Sequence, residues 1–377
     1  MEQQQTESAS ITVEKKPLRP VLIGSEDAIA EYSLFLHHLL VGLADESICT
    51  GLVCHPDCDV NAVVSPTVEV IRHPALDLPL TGHHNKKILV EKLKKFNPTV
   101  FHCLSEDQAQ LTRQLSLKLG LPYVLTINSL QKRFSQLSIS PRRLAKIIVP
   151  AKSIAANVAG VYPKFADRIE QVSMGTFTEE ASMCFSDPNR LPSMVTVHPF
   201  YDACEFENLL GAIKHLVVDG YEFMLVMIGQ GRAESQVRKL LGTYGLSQVV
   251  SIIPRLEPWR SVLAAGDIFI QPKPTNAFNP VVLEAMSVGT VVAGCKGGVD
   301  DLIIDEQTCV VFNPDDKLSI YSTLKRLFDG REFARQLARQ AQEYLRANHS
   351  VSKMVSAVLN AYSLAPDWYK SRGGFSL

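Results

Sequence analysis

The sequence predicts an α/β protein that contains two doubly wound parallel sheets. Short apolar runs alternate with amphipathic stretches along almost the whole chain, and this alternation is typical of parallel strands covered by helices on both faces. The alternation stops once, in a polar, proline-containing segment at about 185–192 (FSDPNRLP), and then resumes. We therefore expect two α/β units joined by a linker.

The first unit contains strand and helix patterns in turn. Apolar runs predict strands at 20–24, 50–54, 68–71, 99–103, 123–127, 146–149 and 168–172. Apolar residues that recur every three or four positions predict helices at 28–43, 86–96 and 108–119. Asn97-Pro98 and Gly120 end the last two helices, because proline cannot continue a helix and glycine favours its C-terminus.

The second unit repeats the same pattern after the linker. Its strands are predicted at 194–198, 223–228, 249–253, 268–271, 290–293 and 308–312. Its helices are predicted at 205–218, 234–244, 280–288, 317–328, 331–347 and 351–362. This regular order of strand and helix predicts a parallel sheet in each unit.

The length of the chain agrees with two domains. Its 377 residues are about twice the usual size of one domain. We assign 18–185 to the first domain, 193–350 to the second, and 351–377 to a last helix and tail. Residues 1–17 are polar and are expected to be a disordered lead-in.

The balance of charge argues against a nucleic-acid partner. Lys+Arg 38 and Asp+Glu 39 give a net charge of -1, whereas proteins that bind phosphate backbones usually carry a basic surplus. The helix at 86–96 is locally basic and carries Lys86, Lys87, Lys92, Lys94 and Lys95. Peripheral contact with anionic lipid or with an anionic acceptor is one interpretation of this helix. The other is a solvated lysine face opposite an apolar face that covers the first sheet.

The composition of the chain also indicates the cellular compartment of the protein. No window approaches the roughly 18 to 20 consecutive apolar residues that span a bilayer, and the polar N-terminus has no hydrophobic centre for a signal peptide. The eight cysteines are scattered and favour reduced, mostly buried thiols, so we expect a cytoplasmic protein. Cys54-His55-x-x-Cys58 has no second ligand pair nearby, and no metal site is expected.

Residues 267–298 carry the most specific pattern in the chain, DIFIQPKPTNAFNPVVLEAMSVGTVVAGCKGG. A strand is followed by the run Glu-Ala-Met-x-x-Gly, a second strand and a pair of glycines. The matching positions are Pro272, Phe278, Glu284, Ala285, Met286, Gly289, Gly297 and Gly298. This segment resembles the donor-binding segment of GT-B glycosyltransferases of the family 4, glycogen synthase-like type. Weaker matches at 98–102, 121–126, 173–175, 227–231, 301–303 and 311–314 extend the resemblance over about 18–362.

The resemblance implies a fold and an activity. Proteins of this type have the GT-B fold, in which two Rossmann-like domains face a cleft and the last helix crosses back to the N-terminal domain. They transfer a hexose from a nucleotide sugar to an acceptor, with retention of configuration and without a metal. A nucleotide sugar and an unknown acceptor are therefore the expected partners, and no cofactor is expected.

The resemblance also implies site residues. The donor-binding candidates are Glu284 for the ribose, Gly229, Gly231, Gly297 and Gly298 for close approach to the phosphates and sugar, and Arg255 for the base. The catalytic candidates are His102, Asn128 and Asn276. Each has a structural explanation as well: a carboxylate is favoured at a helix N-terminus, glycines suit turns, and a histidine at a strand end is often a core residue.

Several positions depart from the family pattern. The arginine and lysine that neutralise the donor pyrophosphate correspond here to Pro199 and Cys204. The first glutamate of the family corresponds to Asn276, and the histidine of its catalytic region corresponds to Asn128. Losing two phosphate-binding cations costs several kcal/mol, at about 1.5 to 3 kcal/mol per charged hydrogen bond. Candidates for compensation are Arg232, Arg255, Lys273 and Lys296.

Two functional hypotheses follow from these matches and departures. The first is an active hexosyltransferase that uses a nucleotide sugar. The second is a catalytically inactive pseudoenzyme of the same fold that serves as a binding or scaffold partner. A third, altered chemistry on the same fold, has no specific support in the sequence.

Overall fold

Two parallel sheets organise the chain in the computed structural model, which describes residues 17–61, 63–74, 82–133, 136–181, 184–254 and 259–371. The first sheet has the order β3-β2-β1-β4-β5-β6-β7 and the second has the order β10-β9-β8-β11-β12-β13. All pairings within both sheets are parallel. The predicted α/β class and the predicted arrangement of two doubly wound parallel sheets are confirmed.

The strands follow the apolar runs of the sequence. In the first sheet they are β1 (Pro20–Ile23), β2 (Thr50–Cys54), β3 (Val68–Arg72), β4 (Val100–Cys103), β5 (Tyr123–Thr126), β6 (Leu144–Val149) and β7 (Ile169–Gln171). In the second sheet they are β8 (Ser193–Val197), β9 (Met224–Ile228), β10 (Val250–Ile253), β11 (Ile268–Ile270), β12 (Val291–Gly294) and β13 (Val310–Val311). The strands β1, β2, β4, β5, β11 and β12 are buried along their whole length, as strands covered on both faces should be.

Helices connect the strands and cover both faces of each sheet. They are α1 (Glu26–Glu31), α2 (Ser33–Asp45), α3 (Gly82–Phe96), α4 (Ala109–Leu119), α5 (Lys152–Val161), α6 (Glu207–Val218), α7 (Glu234–Tyr244), α8 (Trp259–Ala264), α9 (Pro280–Ser287), α10 (Lys317–Asp329), α11 (Arg331–Asn348) and α12 (Val351–Ser371). The start of the helix predicted at 205–218 is a 3₁₀ turn, Ala203–Phe206. The last helix continues beyond the predicted end at 362.

The single helix predicted at 28–43 is wrong, because the structure has α1 and α2 there. Ser25 caps α1 by accepting a hydrogen bond from the N–H of Ala28 (3.3 Å). The helix is interrupted at Tyr32, whose backbone angles of φ -108° and ψ 26° are not helical. The interruption places the buried Tyr32 hydroxyl 3.2 Å from the backbone oxygen of Phe278, in the second domain.

Helix α5 lies where the sequence pattern predicts no helix. Its N-cap residue is Ala151, whose side chain accepts no hydrogen bond. The cap comes instead from Asp301 in the second domain, whose Oδ1 accepts from the N–H groups of Lys152 (2.6 Å) and Ser153 (3.2 Å). A carboxylate at a helix N-terminus stabilises the helix. This contact also joins the two domains.

The basic helix α3 covers the first sheet. Leu89, Leu93 and Phe96 are at most 2% exposed, whereas Lys94 points outward and pairs with Glu91 at 2.9 Å. These three residues of the apolar face thus pack inward, as one of the two sequence interpretations expects, whereas Ile88 of the same predicted face is 45% exposed. The lysine face is left at the surface, so peripheral membrane contact stays a prediction.

Helix α12 returns to the first domain. It packs against α2 and against strands β4 to β6, and its apolar residues complete the core beneath that sheet. The return brings Val351 against Gly175: a Cβ added at Gly175 would lie 2.6 Å from the Cα of Val351. Only glycine permits this approach of two backbones.

We expect Gly175→Ala to lower the free energy of unfolding by about 1 to 3 kcal/mol, because the new methyl group displaces the start of α12. Urea denaturation measures the change. Gly160→Ala is the matched control: a Cβ at this exposed position in α5 meets no atom within 4 Å. Alanine there is expected to raise stability by up to about 1 kcal/mol. Equal changes for the two substitutions would contradict the close packing at Gly175.

Candidate functional site

The carboxyl ends of the two sheets face each other, and two loops meet between them. The loop after β5 pairs with the loop after β11 through an antiparallel bridge between Ser129 and Ala277. The N–H of Phe278 donates to the oxygen of Asn128 (2.8 Å), and the N–H of Leu130 donates to the oxygen of Asn276 (2.7 Å). The structure thus brings two predicted catalytic residues, Asn128 and Asn276, together through their backbones.

The Asn128 side chain is almost fully buried beside this bridge. It is 7% exposed, and its Nδ2 donates to the backbone oxygen of Leu104 at 3.5 Å. Its Oδ1 has no hydrogen-bond partner among the described residues. A buried acceptor without a partner is costly and unusual in a native protein. The side chain of Asn276, by contrast, is exposed.

His102 lies in the core of the first domain and not on the wall of the cleft. It is 1% exposed, with Nδ1 2.6 Å from the hydroxyl of Tyr362 and Nε2 2.7 Å from Oγ1 of Thr126. Burial lowers the pKa of His102 to about 3, so the ring is neutral at pH 7. A ring with both nitrogens engaged and almost no exposed surface cannot reach a substrate. The prediction that His102 is a catalytic residue is therefore wrong.

Glu284, the residue predicted to bind ribose, is held by the protein itself. Thr176 donates to its Oε1 (2.7 Å) and Arg260 donates to its Oε2 (2.6 Å). Burial raises the pKa of the Glu284 carboxyl, although these hydrogen bonds act in the opposite direction. Arg260 also donates to the oxygen of Phe177 and pairs with Glu179 (3.0 Å). No sequence signal points to Arg260, which lies in α8, a helix that the pattern does not predict.

The loop after β8 packs directly against the glycine turn after β9. The N–H of Phe200 donates to the oxygen of Gln230 (3.1 Å), and Phe200 is fully buried. A Cβ at Gly229 would clash with the backbone oxygen of His198, and a Cβ at Gly231 would clash with that of Phe200. Both glycines are therefore required by the approach of two loops of the same domain.

The glycine pair after β12 has a similar role. Gly298 has a φ of +69° and forms a parallel bridge with Thr275, against whose oxygen a Cβ would clash. Gly297 has a φ of +115°, another angle that favours glycine, and a Cβ there would contact the ring of Pro274 at 3.3 Å. These glycines fold the donor-side loops against each other.

The loop after β8 contains the two positions where the family pattern has cations, Pro199 and Cys204, and it also carries acidic groups. The Oδ1 of Asp202 accepts from the N–H of Cys204 (2.9 Å), and the Oε2 of Glu205 lies 3.1 Å from Nε2 of His198. Two of the candidate compensating cations are engaged elsewhere. Lys273 pairs with Asp315 (2.6 Å), and Arg232 donates to the oxygen of Tyr201 (3.2 Å). Lys296 is exposed, and Arg255 lies outside the described residues.

A wide opening at the cleft belongs mainly to the first domain. It is a cavity of about 790 Å³ between the ends of β1, β4 and β5. Its lining includes the carboxylates of Asp27, Glu31, Glu106 and Asp107, the amide of Asn128 and the ammonium group of Lys132. Four acidic residues and one basic residue thus line this opening.

Neither a group of possible metal ligands nor a possible membrane-spanning helix is found among the described residues. Within the ranges that the structure covers, no three His, Cys, Asp or Glu side chains are grouped as metal ligands would be. Cys54 and Cys58 are buried, and burial raises the pKa of Cys58 to about 11. Among the described helices, none is both long and apolar enough to cross a bilayer.

Comparison with known proteins finds similarity to glycosyltransferases. A model described as "Glycosyl transferases group 1" matches residues 188–344. Sulfoquinovosyl transferase SQD2 of Arabidopsis thaliana is 30% identical over 141 residues, which are 36% of this chain and 27% of that protein. The D-inositol 3-phosphate glycosyltransferase of Pseudarthrobacter chlorophenolicus is 24% identical over 356 residues, 83% of this chain and 82% of that protein. The matches to the first curated relatives span between a quarter and two fifths of those proteins.

Solved structures share the whole fold at low sequence identity. HepE of Anabaena, solved in complex with UDP and glucose, has a TM-score of 0.77 at 12% identity and covers 92% of this chain and 99% of that one. A glycosyltransferase of Rickettsia africae ESF-5 has a TM-score of 0.72 at 13% identity, with 93% and 99% covered. The chain therefore has the GT-B fold, and residues 188–344 match the model of the glycosyl transferases group 1 family.

Proposed function

We propose that this protein is a catalytically inactive protein of the GT-B fold that serves as a binding or scaffold partner. The observation that carries the proposal is the position of Glu284. The carboxylate that the family pattern assigns to the ribose is buried between Thr176 and Arg260, with both oxygens engaged. A ribose would have to displace a charged hydrogen bond worth about 1.5 to 3 kcal/mol before it gained one.

The charge around the donor side supports the same proposal. Pro199 and Cys204 offer no positive charge, while Asp202 and Glu205 add negative charge on the same loop. A nucleoside diphosphate carries negative charge that transferases of all kinds neutralise with cations or with oriented N–H groups. Here the N–H of Phe200 already donates to Gln230. Asp202 and Glu205 would therefore repel the pyrophosphate at the place where the family pattern has cations that attract it.

An active hexosyltransferase is the second candidate, and the family match over 188–344 favours it. In that case the donor is a nucleotide sugar, transfer is retaining and independent of metal, and Asn128 and Asn276 position the sugars. Gly229, Gly231, Gly297 and Gly298 then allow the phosphates to approach the backbone, and Arg255 contacts the base. When the donor binds, the Glu284 carboxylate must lose its hydrogen bond from Arg260 and accept one from the ribose instead.

Titration calorimetry with UDP, GDP and ADP and with their hexose conjugates separates the two candidates. We expect no binding tighter than a dissociation constant of about 1 mM for the inactive protein. A dissociation constant below about 100 μM for any of these nucleotides, weakened at least tenfold by Glu284→Gln, would contradict the inactive protein and support the transferase. Glu284→Gln keeps an acceptor for Thr176, and circular dichroism checks that the variant is folded.

Partners and location are parts of the same proposal. We propose a cytoplasmic protein, because buried thiols such as Cys103, Cys295 and Cys309 suit a reducing compartment. If the protein no longer catalyses transfer, we expect it to bind a protein partner. The lysine face of α3 is a second candidate surface, for peripheral contact with an anionic membrane.

A further inference from the structure

The two domains are joined across the cleft by main-chain hydrogen bonds. The loop after β5 and the loop after β11 run antiparallel, and two hydrogen bonds of 2.7 and 2.8 Å flank the facing residues Ser129 and Ala277. These two residues form a non-hydrogen-bonded antiparallel pair, in which the Cα atoms lie about 4.5 Å apart. The loops therefore meet in a fixed register, as two strands of one sheet would.

Much of this bridge is shielded from water. Asn128 is 7% exposed and Phe278 is 2% exposed, and these residues supply the acceptor and the donor of the 2.8 Å hydrogen bond. The backbone oxygen of Phe278 also accepts from the buried hydroxyl of Tyr32 (3.2 Å). A hydrogen bond is stronger where the local dielectric is low, so the bridge resists opening.

Further contacts hold the same two domains together. The carboxylate of Asp301, in the second domain, accepts from the N-terminus of α5 and from the hydroxyl of Ser153, in the first. Thr176, where the chain leaves the first domain, donates to Glu284 of α9 (2.7 Å). Apolar residues from strands of both sheets also belong to one continuous core. A movement that opens the cleft has to disrupt these contacts together with the bridge.

The bridge lies between the two loops that carry the predicted catalytic residues Asn128 and Asn276. A ligand that is to reach the space between these loops must first separate them. Separation breaks both main-chain hydrogen bonds and exposes the backbone groups that formed them. The closed loops therefore occupy a place that the resemblance assigns to the reacting sugars.

We propose that residues 128–130 and 276–278 form an intramolecular latch, which keeps the cleft closed in the protein without a ligand. The latch excludes ligands from the space between the two loops. Only a ligand or a protein partner that binds the open form better than the closed form can shift this equilibrium. The inference goes beyond the proposed function, because backbone contacts form the latch whether or not the protein catalyses transfer.

Hydrogen exchange on the full chain without a ligand tests the latch at its two donors. We expect the amide hydrogens of Leu130 and Phe278 to exchange at least about 100-fold more slowly than in an unfolded chain, because they exchange only when the latch opens. The measurement needs single-residue resolution, from NMR or from fragmentation in the mass spectrometer. A smaller slowing at either amide would overturn the proposal.

A cross-link tests the register of the two loops. The double variant Ser129→Cys, Ala277→Cys places two thiols at the non-hydrogen-bonded pair, whose Cα separation suits a disulfide. The matched control is Ser129→Cys, Thr275→Cys, because residues diagonal to each other lie about 7 to 8 Å apart, beyond the usual disulfide range. With oxidised glutathione, we expect the first pair to cross-link at least about tenfold faster, as measured by peptide mass mapping. Equal rates for the two pairs would overturn the proposal.

Leu130→Pro tests whether the hydrogen bonds hold the loops together, because proline has no N–H to donate to Asn276. We expect the amide hydrogen of Phe278 to exchange at least about tenfold faster in this variant than in the native protein. The amide of Phe101, which donates to Pro122 within the first domain, is the control and should be unchanged. Unchanged exchange at Phe278 would overturn the proposal. No nucleotide is present in these measurements, so their failure differs from failure of the inactive-protein proposal.

Discussion

Arg260→Met is expected to lower the free energy of unfolding at pH 7 by about 2 to 4 kcal/mol. Removing one partner of a buried ion pair leaves the other charge uncompensated, which typically costs about 3 to 5 kcal/mol when both partners are fully buried. The Arg260 side chain is 24% exposed and that of Glu284 is 11% exposed, so the expected value is somewhat lower. Urea denaturation measures the change. The loss is expected to become smaller as the pH falls, because burial raises the pKa of the Glu284 carboxyl and a protonated carboxyl needs no cation.

Arg238→Met provides the matched control for this substitution. Arg238 pairs with Glu234 at 2.8 Å on the surface of α7, and such exposed pairs contribute about 0.3 to 0.5 kcal/mol. The double variant Arg260→Met, Glu284→Gln should recover part of the stability, because the buried charge is then removed as well. Similar losses for Arg260→Met and Arg238→Met would show that the ion pair is not buried in solution.

Acidification is expected to destabilise the protein through His102. The pKa of this histidine is about 3 in the folded protein and about 6.5 in the unfolded chain, so below pH 6.5 the unfolded chain binds more protons. The contribution of His102 to stability is therefore complete above pH 6.5 and is lost as the pH falls towards 3. Between pH 6.5 and pH 5 the expected loss is about 2 kcal/mol, at about 1.4 kcal/mol per pH unit.

His102→Gln isolates this contribution from that of other groups. Glutamine offers both a donor and an acceptor to Tyr362 and Thr126 and does not titrate. The difference in unfolding free energy between the native protein and this variant should decrease by about 2 kcal/mol from pH 6.5 to pH 5. A difference that stays constant over this range would mean that His102 reaches solvent. His38, whose pKa burial lowers to about 4, contributes equally to both proteins and cancels.

The sequence is sufficient to predict the fold because the fold depends on local patterns. The apolar runs that become β1, β4 and β5 are short, continuous and separated by amphipathic helices, and these features alone indicate a parallel sheet. The glycines after β9 and β12 are placed correctly at turns for the same reason. Their contacts with neighbouring loops explain why glycine is needed there.

The contacts of the candidate site are different, because they join distant parts of the chain. Thr176 and Glu284 are 108 positions apart, and Asp301 caps a helix that begins 149 positions before it. No periodicity can reveal such pairs. Pro199 and Cys204 can be identified in the sequence as positions where the donor side lacks a cation. The ion pair between Arg260 and the Glu284 carboxylate is visible only in the structure. The acidic cavity is also assembled from loops that follow three separate strands.

The return of α12 to the first domain has a consequence for biosynthesis. Tyr362 contacts His102 across 260 positions of sequence, and Met354, Val358 and Ala361 belong to the core beneath the first sheet. The N-terminal domain therefore lacks part of its core until α12 has left the ribosome, although domains generally fold in the order of their synthesis. Until then, apolar surface on β4 to β6 is open to chaperones and to misassembly. Truncation of the last helix thus acts on the half of the molecule that is made first.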